Sequence, residues 1–486
     1  MKRVLIVGGG LGGLAAGMKL KANGYEVSIF EQNHHFGGKM IPVQLGDYSF
    51  DFGPTSITMP RVFQEILAEA GENPDDYLEF IKLDTHTATF FPDRTPFFMT
   101  TDRIEMIEQL ERLDPHAEIS YYDYLEEVKM LYETVEKQFF YRTFSSWTDY
   151  FDPSLFQALW SVRPFETMDH FHRQFFRNDY VRHTFNRYAT YIGASPFTSP
   201  AAFAYIGHLE LNEGVYYVKG GNIKIAKAFT DVLTKLGANL YTSTKVRKII
   251  VEQKQAKGIQ LENGETISGD IVIVNGDLLT AYPDLVEEKH RPHFKNAKED
   301  RYEPPLSAFV IMAGLKERNP HFIHHQVYLS SDYEAEFHEL FQQKRLPSDP
   351  TVCVWNSSYT DPERAPGDNL FILVKAPAVS SSASYSPEEY KLLIYEKLKR
   401  FGVDIPSQLV VEKVVTGADI ASTFPAYKGA LYGIRSNGKL DSFLRSSNKS
   451  RDIANLYFSE GTTHAGGGLP MAVISALNVA GAIIHK

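Results

Sequence analysis

The chain has 486 residues, 43% of them hydrophobic, a share that suits a folded globular protein and excludes wholesale disorder. Its 60 acidic and 50 basic residues give a net charge of −10, which argues against a nucleic-acid partner, since that would need a clustered basic surface. The single cysteine, Cys353, excludes an intrachain disulfide and a cysteine-rich metal site, and it suits a reducing cytoplasm.

Residues 3–8 read as a short strand buried on both faces, too short for a secretory signal and running straight into glycines. Residues 12–23 have helical periodicity, with Leu14, Ala15, Met18 and Leu20 on one face and Gly24 as the stop. A second strand, Tyr25 to Phe30, ends at Glu31 and completes a βαβ start. The stretch 104–185 is helical and unusually aromatic, which fits either core packing or the lining of a long apolar channel. Strands follow at Asn239–Tyr241, Val246–Glu252, Ala256–Leu261 and Asp270–Val274, and Asn263-Gly264 signals a hairpin between the last two. Between 305 and 445 strands at Ser307–Ala313, Thr351–Trp355 and Asn369–Ala376 mix with a helix near 386–401. The strand Asn455–Phe458 precedes a stretch without charges, Gly461 to Ile484, whose glycines and Pro470 leave a single buried helix from Leu469 rather than a membrane span. Gly-rich loops at both ends of the chain point to one cofactor domain assembled from distant pieces.

Gly8-Gly9-Gly10-Leu11-Gly12-Gly13 satisfies G-x-G-x-x-G at Gly8, Gly10 and Gly13. Gly8 permits the tight turn, Gly10 the approach of a pyrophosphate, and Gly13 the close packing of helix on strand. The helix N-terminus then offers N–H groups and partial positive charge to the phosphates. Glu31 can accept both ribose hydroxyls of an adenosine and would repel a 2′-phosphate. Gly37-Gly38-Lys39 allows a second close passage of the chain along the cofactor. The loop Glu460 to Met471 again aims backbone N–H groups outward, towards the far end of a bound dinucleotide, where such donors stabilise developing negative charge.

From Gly8 to Lys39 the pattern resembles the amine-oxidase-like flavoproteins, which implies FAD rather than NAD. With Phe50-Asp51-Phe52-Gly53-Pro54-Thr55, Glu213 to Gly221 and Gly461 to Met471, nearly the whole chain resembles the bacterial phytoene-desaturase type of carotenoid flavoenzyme. Within that family it is most similar to the diaponeurosporene oxygenase branch, through Glu31 to His35, Phe91-Pro92-Asp93, Arg435-Ser436-Asn437 and Gly466 to Met471. The resemblance implies an α/β fold: a two-part, Rossmann-like FAD-binding domain with inserted substrate and helical domains. The expected division is 1–75, 215–290 and 446–486 for FAD, 76–214 for a helical insertion facing membrane and substrate, and 291–445 for a mixed-sheet substrate domain. The cofactor set is Gly8, Gly10, Gly12, Gly13, Glu31, Gln32, Gly37, Gly38, Lys39, Gly53, Pro54, Val246, Glu460, Gly461, Gly468, Leu469, Pro470 and Met471. Two residues depart from the family: Ala465 replaces the usual Pro after His464, and Glu460 replaces a small residue.

The implied chemistry is oxidation of a long apolar polyene. Hydride loss beside a polyene leaves a cation spread over the conjugated chain. Proton loss then gives desaturation, whereas capture by an oxygen nucleophile, or attack by oxygen activated on reduced flavin, gives an alcohol and then an aldehyde. Positioning in a dry channel carries most of such catalysis, so no metal site is expected and only His464 stands out as a catalytic candidate. The C30 terminal-methyl oxidation is the preferred expectation and desaturation the alternative. A flavin amine oxidase and a non-catalytic isoprenoid-binding protein are further alternatives. A substrate of this kind stays in the bilayer, so the cytoplasmic enzyme is expected to dock peripherally on a membrane through Phe139-Phe140-Tyr141, Trp147, Tyr150-Phe151 and Phe156. The oligomeric state is left open.

Overall fold

Five short aliphatic runs pair into a parallel sheet in the order Leu456–Phe458, Ile271–Val274, Arg3–Val7, Glu26–Phe30 and Asn239–Tyr241. Val4, Leu5 and Ile6 are wholly buried, which explains a run with no polar alternation. The structure, a computed structural model, describes residues 1–143, 152–296, 304–378, 386–424, 426–431, 433 and 446–485. Helices Leu11–Ala22, Ile223–Lys235 and Leu469–Ile484 share a core with one face of this sheet. The first packs against both of the others, so it is buried all round rather than on the one face expected. A Cβ on Gly17 would come within 2.9 Å of Ile29 Cδ1, so helix and strand meet through bare backbone there.

The other face is covered by an antiparallel three-stranded sheet, Val246–Glu252, Gln255–Leu261 and Thr266–Ser268, and by the helix Leu278–Leu285. One expectation is corrected here. The Asn263-Gly264 turn joins Gln255–Leu261 to Thr266–Ser268, and not to the next strand. Ile271–Val274 is buried along its whole length and pairs beside Arg3–Val7 instead. A fully apolar strand gains more at the centre of a two-sided sheet than on a half-exposed ribbon.

A second sheet has seven strands in the order Leu409–Val415, Ser307–Leu315, Asn369–Ala376, Val352–Asn356, His325–Tyr328, Thr85–Phe90 and Pro96–Thr100. All its pairs are antiparallel except His325–Tyr328 with Thr85–Phe90. Its outer face packs on the helix Pro387–Arg400 through Tyr390, Ile394 and Leu398. Its inner face, with Val310, Met312, Val327, Cys353, Trp355, Phe371 and Leu373, shares a core with the helical segments.

The stretch 76–214 therefore opens in strands: Phe80–Lys82 pairs with Tyr216–Val218, two more strands join the seven-stranded sheet, and helices begin at Arg103. Phe139 and Phe140 are buried at the end of the long helix Pro115–Val135, with the Phe140 ring 5.5 Å from that of Tyr205. They belong to the core and not to a docking face. Tyr141 and Phe156 are exposed, while Trp147, Tyr150 and Phe151 lie outside the described residues. Among the described residues no helix is long and apolar enough to cross a membrane.

Candidate functional site

The glycine loop sits where the central strand turns into the buried helix. Gly8 has φ +101°, and a Cβ there would lie 2.2 Å from the backbone oxygen of Asn275. A Cβ on Gly13 would lie 2.3 Å from Gly8 O, and one on Gly38 would lie 3.0 Å from Gly10 Cα. Two glycine segments thus run back to back, joined by Gly37 N donating to Gly9 O at 2.9 Å. No side chain caps the helix at Gly10, which leaves its first-turn N–H groups to a ligand.

Glu31 is buried, and its two oxygens accept from Gly9 N at 2.7 Å and Asn33 N at 2.8 Å. Each oxygen keeps a second lone pair for a ribose hydroxyl. Thr244 N donates to Glu31 O and Ser243 N to Asn33 O, both at 2.8 Å, which brings the segment leading into Val246 beside Glu31 and the exposed Gln32.

The C-terminal loop adds the second half. The Asn448 Nδ2 lies 2.6–3.2 Å from Phe458 O, Thr463 Oγ1, His464 O and Ser475 Oγ, gathering strand, loop and helix around one buried side chain. Gly461 packs against Gly467, whose Cα would lie 3.1 Å from an added Cβ. The helix opening at Leu469, Pro470 and Met471 has Gly468 as its N-cap, at φ +112° and with no side-chain cap. Two uncapped helix N-termini therefore belong to helices packed on one another. The buried Ser459 hydroxyl lies 3.1 Å from where a Gly12 Cβ would be, without a partner among the described residues. Positive helix ends, bare glycine backbone and an acceptor carboxylate at Glu31 are the donor and acceptor set a dinucleotide requires, so these residues fit FAD.

Gly53 and Pro54 are fixed elsewhere. Asn222 donates its Nδ2 to Pro54 O at 2.9 Å and its backbone N to Asp51 Oδ1 at 2.8 Å, and Arg364 Nη2 reaches Asp51 Oδ2 at 2.9 Å. Burial pushes the Asp51 carboxyl up, against the pull of Arg364. No described hydrogen bond joins Gly53 or Pro54 to the Gly8–Gly13 loop.

Lys39 and Glu460 come together with Asp277, a residue that the sequence reading missed. Glu460 Oε1 accepts from Thr462 N at 2.6 Å, and Asp277 accepts from Leu279 N and Tyr427 N, both at 3.0 Å. Burial first and Asp277 second push Glu460 up to about 8, opposed by Lys39. Asp277 is raised by burial as well. A raised carboxyl holds its proton in the folded protein where the unfolded chain has lost it. The unfolded state then binds fewer protons, and stability falls as pH rises from the ordinary carboxyl range towards 8. Glu460→Gln should flatten that decline in a melting-temperature series from pH 5 to 8. An identical slope in both proteins would contradict the arrangement.

His464 is buried, and its Nε2 lies 2.5 Å from Phe139 O, while Asn478 Nδ2 donates to Phe140 O at 2.7 Å. The ring tethers the C-terminal loop to the end of the long helix Pro115–Val135. His464→Phe should cost about 1–3 kcal/mol through the lost buried donor, read as a lower unfolding midpoint with FAD retained. Slow flavin reduction at an unchanged midpoint would assign it a catalytic role instead. His324 is bonded to Thr55 at 2.9 Å and to Thr360 at 2.7 Å, and among the described residues no group of three or more His, Cys, Asp or Glu side chains is placed to hold a metal ion.

Asn275 and Asn448 were also missed. Asn275-Gly276-Asp277 follows directly on the strand Ile271–Val274, and polar residues at the carboxyl end of a parallel strand are the signal that could have found them. Asn448 carries no local signal. Arg435-Ser436-Asn437 lies outside the described residues.

The flavin containing amine oxidoreductase family matches residues 11–484 of the chain. The chain is 33% identical to 1-hydroxycarotenoid 3,4-desaturase of Flavobacterium sp. (strain P99-3) over 484 residues, covering 98% of each. It is 28% identical to 4,4'-diaponeurosporene oxygenase of Staphylococcus haemolyticus (strain JCSC1435), over 99% of this chain and 96% of that one. Cyclohexylamine oxidase from Brevibacterium oxydans IH-35A shares the fold at a TM-score of 0.61 and 16% identity, over 100% of this chain and 99% of the other. Cradle, sequence and fold agree: this chain is an FAD-dependent oxidoreductase and belongs to the flavin-containing amine oxidoreductases, among their carotenoid desaturase-type members.

Proposed function

We propose that this enzyme oxidises a linear carotenoid at the end of its conjugated chain, and that its reaction is conversion of a terminal methyl of a C30 substrate to the alcohol and aldehyde. The observation that carries this reading is an apolar wall one hydrogen bond from the second glycine segment, Phe52 N donating at 3.0 Å to Ile41 O, two residues after Lys39. Phe52, next to Gly53 and Pro54, lays its ring 6.3 Å from Phe371 and 5.0 Å from Phe424. Phe371 continues into the inner sheet face of Val310, Met312, Val327, Trp355 and Leu373. Such a wall offers a polyene apolar surface along its length and keeps water away from the reacting carbon. FAD, when bound, would supply the redox chemistry for the two successive two-electron oxidations, with water or dioxygen as the source of the oxygen atom.

Desaturation is the second reading, favoured by the higher identity to the 3,4-desaturase than to the oxygenase. Exposed Phe156 and Trp160, one turn apart on the helix Pro153–Ser161, and exposed Phe165 nearby support docking on a membrane surface. The test is mass spectrometry of pigments from cells that make linear C30 precursors, with and without the protein. Oxygen gained at a terminal methyl is the expected result. Loss of hydrogen pairs alone would make the enzyme a desaturase, and unchanged pigments would overturn the carotenoid reading.

A further inference from the structure

Five buried polar atoms on or against the inner face of the seven-stranded sheet have no hydrogen-bond partner among the described residues: His86 Nε2, Thr89 Oγ1, Arg187 Nε, Tyr188 OH and His325 Nε2. Their residues, Thr89 included, are each at most 2% exposed. Native interiors rarely leave one such atom unmet, so several in one neighbourhood call for a partner, a ligand or ordered water. The surroundings are otherwise apolar: the His325 ring stacks on Trp355 at 4.3 Å, and Arg187 Nη2 lies 3.8 Å from Met99 Sδ.

The hydrogen-bond pattern narrows the ligand. Thr87 Oγ1 lies 3.1 Å from Nδ1 of His86 and 3.1 Å from Nδ1 of His325. Its hydroxyl has one proton, so it donates to one ring and accepts from the other. One imidazole then presents Nε2 as an acceptor and the other presents Nε2–H as a donor. Burial holds both rings well below the usual imidazole range, with Arg187 lowering both further, Lys82 adding to this at His86, His324 and Lys375 adding to it at His325, and Glu210 opposing it at His86. Both are neutral at pH 7. The Arg187 charge is met by Glu210 at 3.4 Å.

We propose that His86, Thr87 and His325, with Arg187 and Tyr188 beside them, form a binding site for an uncharged oxygen, a hydroxyl or an aldehyde, at one end of an otherwise apolar polyene. One donor and one acceptor, on two rings that share Thr87, complement a hydroxyl, and the donor alone serves a carbonyl. The inference rests on the carotenoid reading and adds to it that the enzyme, while still accepting the hydrocarbon, prefers chains already oxygenated at one end. The reaction that supplies its preferred substrate is then itself an oxygenation or hydration of a polyene terminus.

The test compares the FAD-loaded enzyme binding a linear C30 polyene and its terminal alcohol, followed by quenching of protein fluorescence in detergent micelles. Wild type should prefer the alcohol by at least about tenfold, the scale of one buried polar group left without its partner. Thr87→Val removes the shared oxygen while keeping the shape, and His325→Phe keeps the stack on Trp355. In both, the preference should collapse towards one, with hydrocarbon affinity and FAD content unchanged. Equal affinity of wild type for the two ligands overturns the inference whatever the variants do. So does a preference that survives in flavin-loaded variants. Failure to bind either polyene would remove the carotenoid reading and this site with it.

Discussion

Gly10→Val should yield a folded protein that purifies without yellow colour. Gly10 has φ −71° and ψ 174°, an ordinary extended conformation, so valine brings no backbone strain. Its Cβ would lie 2.7 Å from Asn275 Nδ2, the end of a side chain, and 3.8 Å from Gly38 Cα. The two branches of valine would therefore fill the space between the facing glycine segments, where a pyrophosphate must approach the backbone. The expected loss of FAD affinity is at least about 100-fold, equivalent to roughly 3 kcal/mol. The absorbance ratio at 450 and 280 nm reads it directly, and circular dichroism reports the fold. Full flavin content in this variant would remove the site from the Gly8–Gly13 loop. Gly13→Ala is the contrasting case, because its added carbon meets the backbone oxygen of Gly8 at 2.3 Å. That clash is with the main chain, so the melting transition itself should fall along with the colour.

What sequence could reveal of this site is what lies within one local segment. From Gly8 to Lys39 strand, turn, helix and acidic residue follow one another in a single βαβ unit, and spacing alone fixes their roles. The pairing of the two glycine segments, and the long-range entry of Asn275 and Asp277, come from the sheet order that places Ile271–Val274 beside Arg3–Val7. No period in the sequence encodes that choice. The Asn263-Gly264 turn shows the same limit: the hairpin signal is real, but which strand returns from it depends on burial of the competing run. The helix Leu11–Ala22 was legible as a helix but not as one buried all round, because its neighbours lie more than two hundred residues away in the chain. The histidine cluster on the inner sheet face was illegible for the same reason. His86 and His325 share Thr87 only because Thr85–Phe90 and His325–Tyr328 run parallel, in the register that sets Val327 opposite Thr89.

Arg187→Leu should be among the most destabilising single substitutions in the chain. Arg187 is 2% exposed and Glu210 3%, and the guanidinium reaches both the Glu210 carboxylate and the Tyr191 hydroxyl. Tyr191 in turn donates to Glu210 Oε1 at 2.6 Å. Leucine would keep the packing against Met99 and the Tyr188 and Tyr191 rings but would leave a carboxylate in the core with the phenol as its remaining donor. Removing one partner of a buried pair costs about 3–5 kcal/mol, far more than the pair gains over an apolar substitute. The urea midpoint should fall accordingly at an unchanged slope. Arg187→Leu combined with Glu210→Leu removes the stranded charge, and most of the lost stability should return. A double variant as unstable as Arg187→Leu alone would mean that the cost lies in packing around the guanidinium and not in the buried charge.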